Sequence, residues 1–136
     1  MKELLLDANV LVRFLVQDDA VQSPAATALL EAAERQECRL HLDGLAIAES
    51  VYVLVGHYRR NRRDVAHALL ALIQSSGVVT TNADVVRDAL QRFAAVNVDF
   101  ADAWLAARAA HLGFGVASFD RDLDRFKDIR RIEPKA

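Results

Sequence analysis

A single cysteine, Cys38, in 136 residues leaves no partner for an internal disulfide and no cysteine cluster for zinc. The chain therefore reads as a protein of a reducing cytosol, with Cys38 a small, partly buried side chain. Prolines number two and glycines five, and nowhere do they gather into a linker, so nothing marks a domain boundary. Internal repeats and low-complexity tracts are missing too. So is any long apolar run. The opening stretch "MKELLLDANVLVRFLV" is broken by Asp7, Asn9 and Arg13, well short of the roughly 20 apolar residues a membrane helix needs. No small-residue cleavage site follows it, which sets it apart from a secretory leader. The expectation is a cytoplasmic protein with no membrane attachment. Charge of one sign is also absent: a net charge of -2 excludes a generally basic nucleic-acid binder but leaves room for a local basic patch.

What is present is the composition of a globular protein, 53% hydrophobic and 26% charged, long enough to bury a core without staples. One domain over 1–136 is expected. Leu4–Leu6 reads as a buried strand, followed by a short helix from about Asn9 to Gln17. In "QSPAATALLEAAERQE" the pattern predicts a helix with Ser23 as N-cap and Pro24 at the first helical position. After a strand in "RLHL", the stretch "DGLAIAESVYVLVGHY" predicts a helix begun by Asp43 and apolar on nearly every face, hence buried. Asn61 caps the next helix, "NRRDVAHALLALIQSS", and Gly77 ends it. Strand "VVT", helices "NADVVRDALQRFAAVN" and "DFADAWLAARAAHLG", the latter stopped by Gly113, and strands in "GVASF" and "IRRIEP" complete the pattern. Alternating strands and helices point to a parallel sheet covered on both faces, whose ligands bind beyond the carboxyl ends of the strands.

Four acidic positions stand out against that frame. Asp7 follows the first strand directly, as a ligand-binding residue or as a simple helix cap. Glu49 lies within "LAIAESVYVLV", where its helical neighbours Leu45, Ala46, Tyr52 and Val53 include no cation. Burying it there without a neutralising partner would cost about several kcal/mol. Asp99 and Asp102 open a helix three residues apart, and a helix start needs only one cap. Asp120, with Asp122 and Asp124 close behind, follows a late strand, although Arg121 and Arg125 allow an ordinary charged turn. Clustered carboxylates raise one another's pKa and are stable at neutral pH with a cation between them. Oxygen ligands without cysteine or histidine clusters suit Mg²⁺ or Mn²⁺, and His41, His57, His67 and His111 lack zinc-ligand spacing.

The order and spacing of "LLLDAN", "AIAES", "VDFADAWLAA" and "VASFDRDL" resemble the PIN-domain family, and within it the VapC-type toxins of prokaryotic toxin–antitoxin pairs. The resemblance runs along essentially the whole chain. It implies a three-layer α/β/α fold with a mostly parallel sheet of about five strands, and metal-dependent cleavage of RNA by a metal-activated water. Matched residue by residue, it assigns metal-binding and catalytic roles to Asp7, Glu49, Asp102 and Asp120. Asn9, Asp99, Ser118 and Asp122 become accessory, with Asp122 an alternative to Asp120. A homodimer and a cognate antitoxin are implied as well, the antitoxin tail taking a groove for which Leu11, Phe14 and Leu15 are candidates if they are not core.

For gripping RNA, "HYRRNRRD" gathers Arg59, Arg60, Arg62 and Arg63 beside Tyr58, either as a backbone clamp with a stacking ring or as a solvated loop. Arg13, about one and a half turns beyond Asp7, is a further phosphate contact. Two other classes fit less well. A receiver-like regulatory domain wants an acidic pair after its first strand, where this chain has Asp7-Ala8. A catalytically inactive PIN-like module that binds RNA or protein would not need all four acids.

Overall fold

The computed structural model describes residues 1–136, which divide into two compact units, Met1–Ala83 and Asp84–Ala136. In the first unit, β1 (Lys2–Leu5) leads through α1 (Ala8–Val16) and α2 (Gln22–Glu34) to β2 (Cys38–Leu42). Helix α3 (Gly44–Tyr52), a π-helical turn (Val53–His57) and α4 (Arg62–Ile73) then lead to β3 (Val78–Thr80). The strands form one parallel sheet in the order β1-β2-β3, with Leu4 beside Leu40 and Leu40 beside Val78. Parallel pairing requires crossovers of this length, which the helices provide.

Residues two apart on a strand share a face. Leu40 and Leu42 are fully buried with Leu6, whereas Leu5, expected to be buried, is 88% exposed on the opposite face. That face also carries His41, whose Nε2 lies 2.6 Å from Glu3 Oε1, and Arg39, 3.7 Å from the same carboxylate. Leu11, Ile47 and Leu69 fill the core with Leu40 and Leu42. Each such side chain contributes about 1.5–3 kcal/mol by leaving water. Leu11 is thus core, while Phe14 and Leu15 of the same helix are half-buried.

Helix boundaries follow the expected caps in part. Asp43 Oδ1 accepts the Ala46 N–H at 3.0 Å and Asn61 Oδ1 accepts those of Arg63 and Asp64 at 2.9 and 3.3 Å. Helix α2 starts earlier than expected: Asp19, not Ser23, accepts the first free amides, those of Val21 and Gln22, at 2.9 and 2.7 Å. Ser23 lies buried inside the helix and Pro24 occupies its third position, where the missing N–H still has no intrahelical partner to lose. Gly77 ends no helix, since α4 stops at Ile73. It turns the chain into β3 at φ +85°, and a Cβ there would sit 2.2 Å from the Ala33 carbonyl oxygen. Only glycine fits that approach.

The second unit holds α5 (Ala83–Ala95, starting at the boundary), α6 (Phe100–Leu112), β4 (Val116–Ala117), a 3-10 helix (Arg121–Arg125) and β5 (Arg131–Ile132). Gly113 ends α6 in the left-handed conformation at φ 72°, as its position in the sequence predicts. β4 and β5 pair in parallel, so each of the two sheets, the three-stranded one of the first unit and this two-stranded one, is parallel within itself. Two arginines fasten the segment between these strands. Arg131 reaches both oxygens of Asp124, at 2.9 and 3.1 Å, and the Ser118 carbonyl at 3.1 Å. Arg92 of α5 binds Asp88 at 3.0 Å and both oxygens of Asp128, at 2.9 and 2.5 Å, beneath the Phe126 ring. These contacts fix where Asp120 and Asp122 stand.

Candidate active site

In the first unit, Asp7 occupies the N-cap position of α1, and its backbone carbonyl accepts the Val10 and Leu11 amides. Its carboxylate makes no capping bond. The side chain is exposed instead, at the edge of a cavity of about 520 Å³ whose walls include Asn9, Arg13, Glu49, His57 and Tyr58. Glu49 reaches that cavity because α3 is not buried all round. Ala46, Ile47, Ser50 and Val51 face the core, whereas Leu45, Glu49 and Tyr52 are exposed. The desolvation penalty expected for a buried Glu49 therefore does not arise.

The wall opposite the helix starts is set by the π-helical turn. The Tyr58 amide bonds to the Val53 carbonyl, five residues back, at 3.1 Å, and the Arg60 amide to the Leu54 carbonyl at 2.9 Å. A wide turn of this kind inside a helix is rare and concentrates at functional positions. It places His57 and Tyr58, packed edge to face at 4.9 Å, on the cavity wall. Tyr58 donates its hydroxyl hydrogen to Asp18 Oδ2 at 2.9 Å, and Arg13 Nη1 donates to Asp18 Oδ1 at 3.0 Å. Arg13 Nη1 also lies 3.3 Å from the Tyr58 oxygen, while Arg13 Nε donates to Gln22 Oε1 at 2.9 Å. The hydrogen bond from Tyr58, opposed by burial and helped by the hydrogen bond and charge of Arg13, holds the Asp18 carboxyl below the usual aspartate range.

Of the basic stretch, Arg59, Arg60 and Arg63 are exposed and Arg62 is half-buried. None of the four lines the acid cavity. Arg60 borders a separate small cavity with Leu15 and Asp64, and Arg59 turns the chain at φ 54°. Among the cationic and aromatic residues singled out for RNA, only Arg13 and Tyr58 share a cavity with the acids.

In the second unit the acids meet one another. Asp99 is the backbone N-cap of α6 and makes no side-chain cap bond. Asp102, in the first turn, is buried at 9% exposure. Asp120 caps the 3-10 helix by accepting the Asp122 N–H at 2.9 Å, and its own N–H donates to Ser118 Oγ at 2.9 Å. Carboxylate oxygens of Asp102, Asp120 and Asp122 all lie within 4.8 Å of one another. Asp122 thus joins Asp120 rather than replacing it. Burial, then the charges of Asp120, Asp99 and Asp122, push the Asp102 carboxyl above the usual aspartate range. Three hard oxygen donors without nitrogen or sulfur, one of them buried against its preference for water, fit a hard divalent cation such as Mg²⁺ or Mn²⁺.

Two residues escaped the sequence reading: His57 on the cavity wall, and Asp18, which lies outside that wall and binds Arg13 and Tyr58. His57 carries a weak signal, its place beside Tyr58. Asp18 carries none, because its phenol partner lies 40 residues away.

Residues 4–129 match the model of the PIN-domain family. A comparison with curated proteins finds no match. No helix is long and apolar enough to cross a membrane.

Proposed function

The chain belongs to the PIN-domain family, and from that premise we propose that it is a metal-dependent endoribonuclease, the toxin of a VapBC-like toxin–antitoxin pair. The single observation that carries the reading is the buried, charge-crowded Asp102 with Asp120 and Asp122 beside it. Such an arrangement is costly in a protein that has no use for a cation. We assign catalytic and metal-ligand roles to Asp7 and Glu49 of the first unit and Asp102 and Asp120 of the second. Asn9, Asp99, Ser118 and Asp122 are accessory.

When bound, Mg²⁺ or Mn²⁺ supplies a water of lowered pKa and a Lewis acid for the phosphodiester. The chain's own groups do the rest. Asp7 and Glu49 are exposed acceptors for the protons of an attacking water, and Asn9 offers an amide that orients it. Ser118 holds the Asp120 backbone, and Asp120 holds the 3-10 helix start, so this carboxylate is placed before any ligand arrives. Arg13 and Tyr58 offer donors to a backbone phosphate, with the exposed Arg59, Arg60 and Arg63, and Arg62 beside them, as an outer electrostatic grip. A cytoplasmic homodimer bound by a cognate antitoxin, with 1–136 acting as one PIN-like domain, completes the proposal. Family membership supports it.

The test is cleavage of a mixed RNA pool by purified, partner-free protein in Mg²⁺ or Mn²⁺, with EDTA and Asp102→Asn as controls. Cutting that both controls abolish is the expected result. A folded preparation that neither cuts nor binds either metal by calorimetry would instead be a binding module on a PIN scaffold.

A further inference from the structure

We propose that Arg13 and Tyr58 form a phosphate subsite at the edge of the Asp7–Glu49 cavity, and that Asp18 fills this subsite in the free protein as an intramolecular competitor for RNA. The proposal deepens the nuclease reading and rests on it for the identity of the ligand. The guanidinium and the phenol converge on one carboxylate: Arg13 Nη1 on Oδ1 at 3.0 Å, Tyr58 OH on Oδ2 at 2.9 Å. Two oxygens of a phosphate diester present the same paired, anionic acceptors, and arginine with a phenol hydroxyl suits either. Gln22 holds the other edge of the guanidinium through Nε at 2.9 Å, so the donors keep their aim when the acceptor changes.

The competitor is built to leave. Asp18 is not part of the cavity wall, whereas Arg13 and Tyr58 are. Its side chain is 38% exposed, on the loop that leaves α1 through Gln17 in the left-handed conformation. The neighbouring Asp19 anchors that loop on its own, by capping α2 through the Val21 and Gln22 amides. Rotating Asp18 into water therefore releases two donors without releasing the loop. An exposed pair of this kind is weak enough for a phosphate to displace and strong enough to matter. A disengaged Asp18 also removes one negative charge from the path of an RNA backbone.

The experiment compares wild type, Asp18→Asn, Arg13→Gln and the double variant in EDTA at low salt. One arm follows a short single-stranded oligouridylate by fluorescence anisotropy, the other inorganic phosphate by the Arg13 Nε–H NMR signal. Asp18→Asn should bind both probes about three- to tenfold more tightly. The double variant should lose that gain and bind no better than Arg13→Gln. Equal or weaker binding by Asp18→Asn overturns the proposal, since Asp18 would then only position Arg13. A phosphate response at Arg13 that Asp18→Asn strengthens, with no RNA binding by any variant, keeps the subsite and overturns the ribonuclease reading. No phosphate response at Arg13 in either wild type or Asp18→Asn removes the subsite.

Discussion

The two units treat their acids in opposite ways. Asp7 and Glu49 are exposed, share a cavity of about 520 Å³ with Arg13, His57 and Tyr58, and stand where water and a chain-like ligand can enter. Asp102, Asp120 and Asp122 crowd their oxygens within 4.8 Å, and one of them is buried. Neither set contains a cation of the protein placed against its carboxylates by a salt bridge. Arg13 serves Asp18, and Arg131 serves Asp124 and Glu133. What differs is the strain. In the first unit the solvent screens the charges, whereas in the second, burial and mutual repulsion hold Asp102 partly against ionisation. On the proposed reading, crowding suits an ion and openness suits a substrate.

The largest effect that would sharpen this contrast comes from Asp102→Asn. Cleavage should fall about a hundredfold or more, while the thermal midpoint in EDTA stays or rises, because the variant removes a charge that the fold disfavours. A lower midpoint with cleavage retained would reverse the assignment and make Asp102 structural. Asp7→Asn and Glu49→Gln come next. Each should lose about tenfold to a hundredfold in rate and shift stability by no more than about 0.5 kcal/mol, both side chains being exposed. Combining Asp7→Asn with Asp102→Asn tests whether the two sets serve one reaction. Rates of the double variant that fall no further than those of Asp102→Asn would say so, and strictly multiplicative losses would break the link.

A smaller effect lies in pH. Asp102 has its carboxyl raised, burial first and the neighbouring acids after it, so its protonated form favours the folded state. That contribution is full below the ordinary aspartate value and disappears as pH rises through the raised one. Asp124 and Asp128 do the reverse. Hydrogen bonds from Arg131 and Arg92 hold them low, and their contribution is present above the ordinary value and lost as pH falls through the lowered one. Chemical denaturation in EDTA should therefore show Asp102→Asn gaining on wild type from acid to neutral pH. A constant gap would mean that the crowding in the second unit has no thermodynamic weight. Smallest of all, Arg59→Gln, Arg60→Gln and Arg63→Gln should each weaken single-stranded RNA binding about twofold and flatten its salt dependence by about 0.7 in the logarithmic slope. An equal loss at every salt concentration would place them in specific contacts rather than in an outer electrostatic grip.

The residues that could be read in advance are those whose job is local. Asp43, Asn61 and Gly113 bond within their own helix ends, so the signal and the structure lie within a few positions of each other. The place of Asp7 after the first strand and of Asp102 in the first turn of a helix was legible for the same reason. Where the outcome depends on distant partners, the sequence is silent. Gly77 answers to Ala33, 44 positions earlier, not to the helix it follows, whereas the Asp19 cap is local and was missed because Ser23 beside Pro24 offered a competing start. The joining of Asp122 to Asp120 depended on a 3-10 rather than an extended path after β4. Glu49 looked buried because α3 looked apolar all round. Its exposed Leu45 and Tyr52 are ordinary surface hydrophobes, which composition does not distinguish from core.

The π-helical turn at Val53–His57 acts as a dial. A helix advances about 100° per residue, so the register of everything after Val53 depends on how many residues that turn holds. Removing one, Val55 for example, would let α3 run on with ordinary spacing and swing Tyr58 by about that angle. The phenol would leave the cavity wall, Asp18 would lose one of its two donors, and the arginines that follow would point to a different quarter of the surface. Asp7 and Glu49, which precede the dial, would remain in place. On the proposed reading, a variant lacking that residue would keep its acids and grip RNA differently, so that a change of target need touch none of the acids.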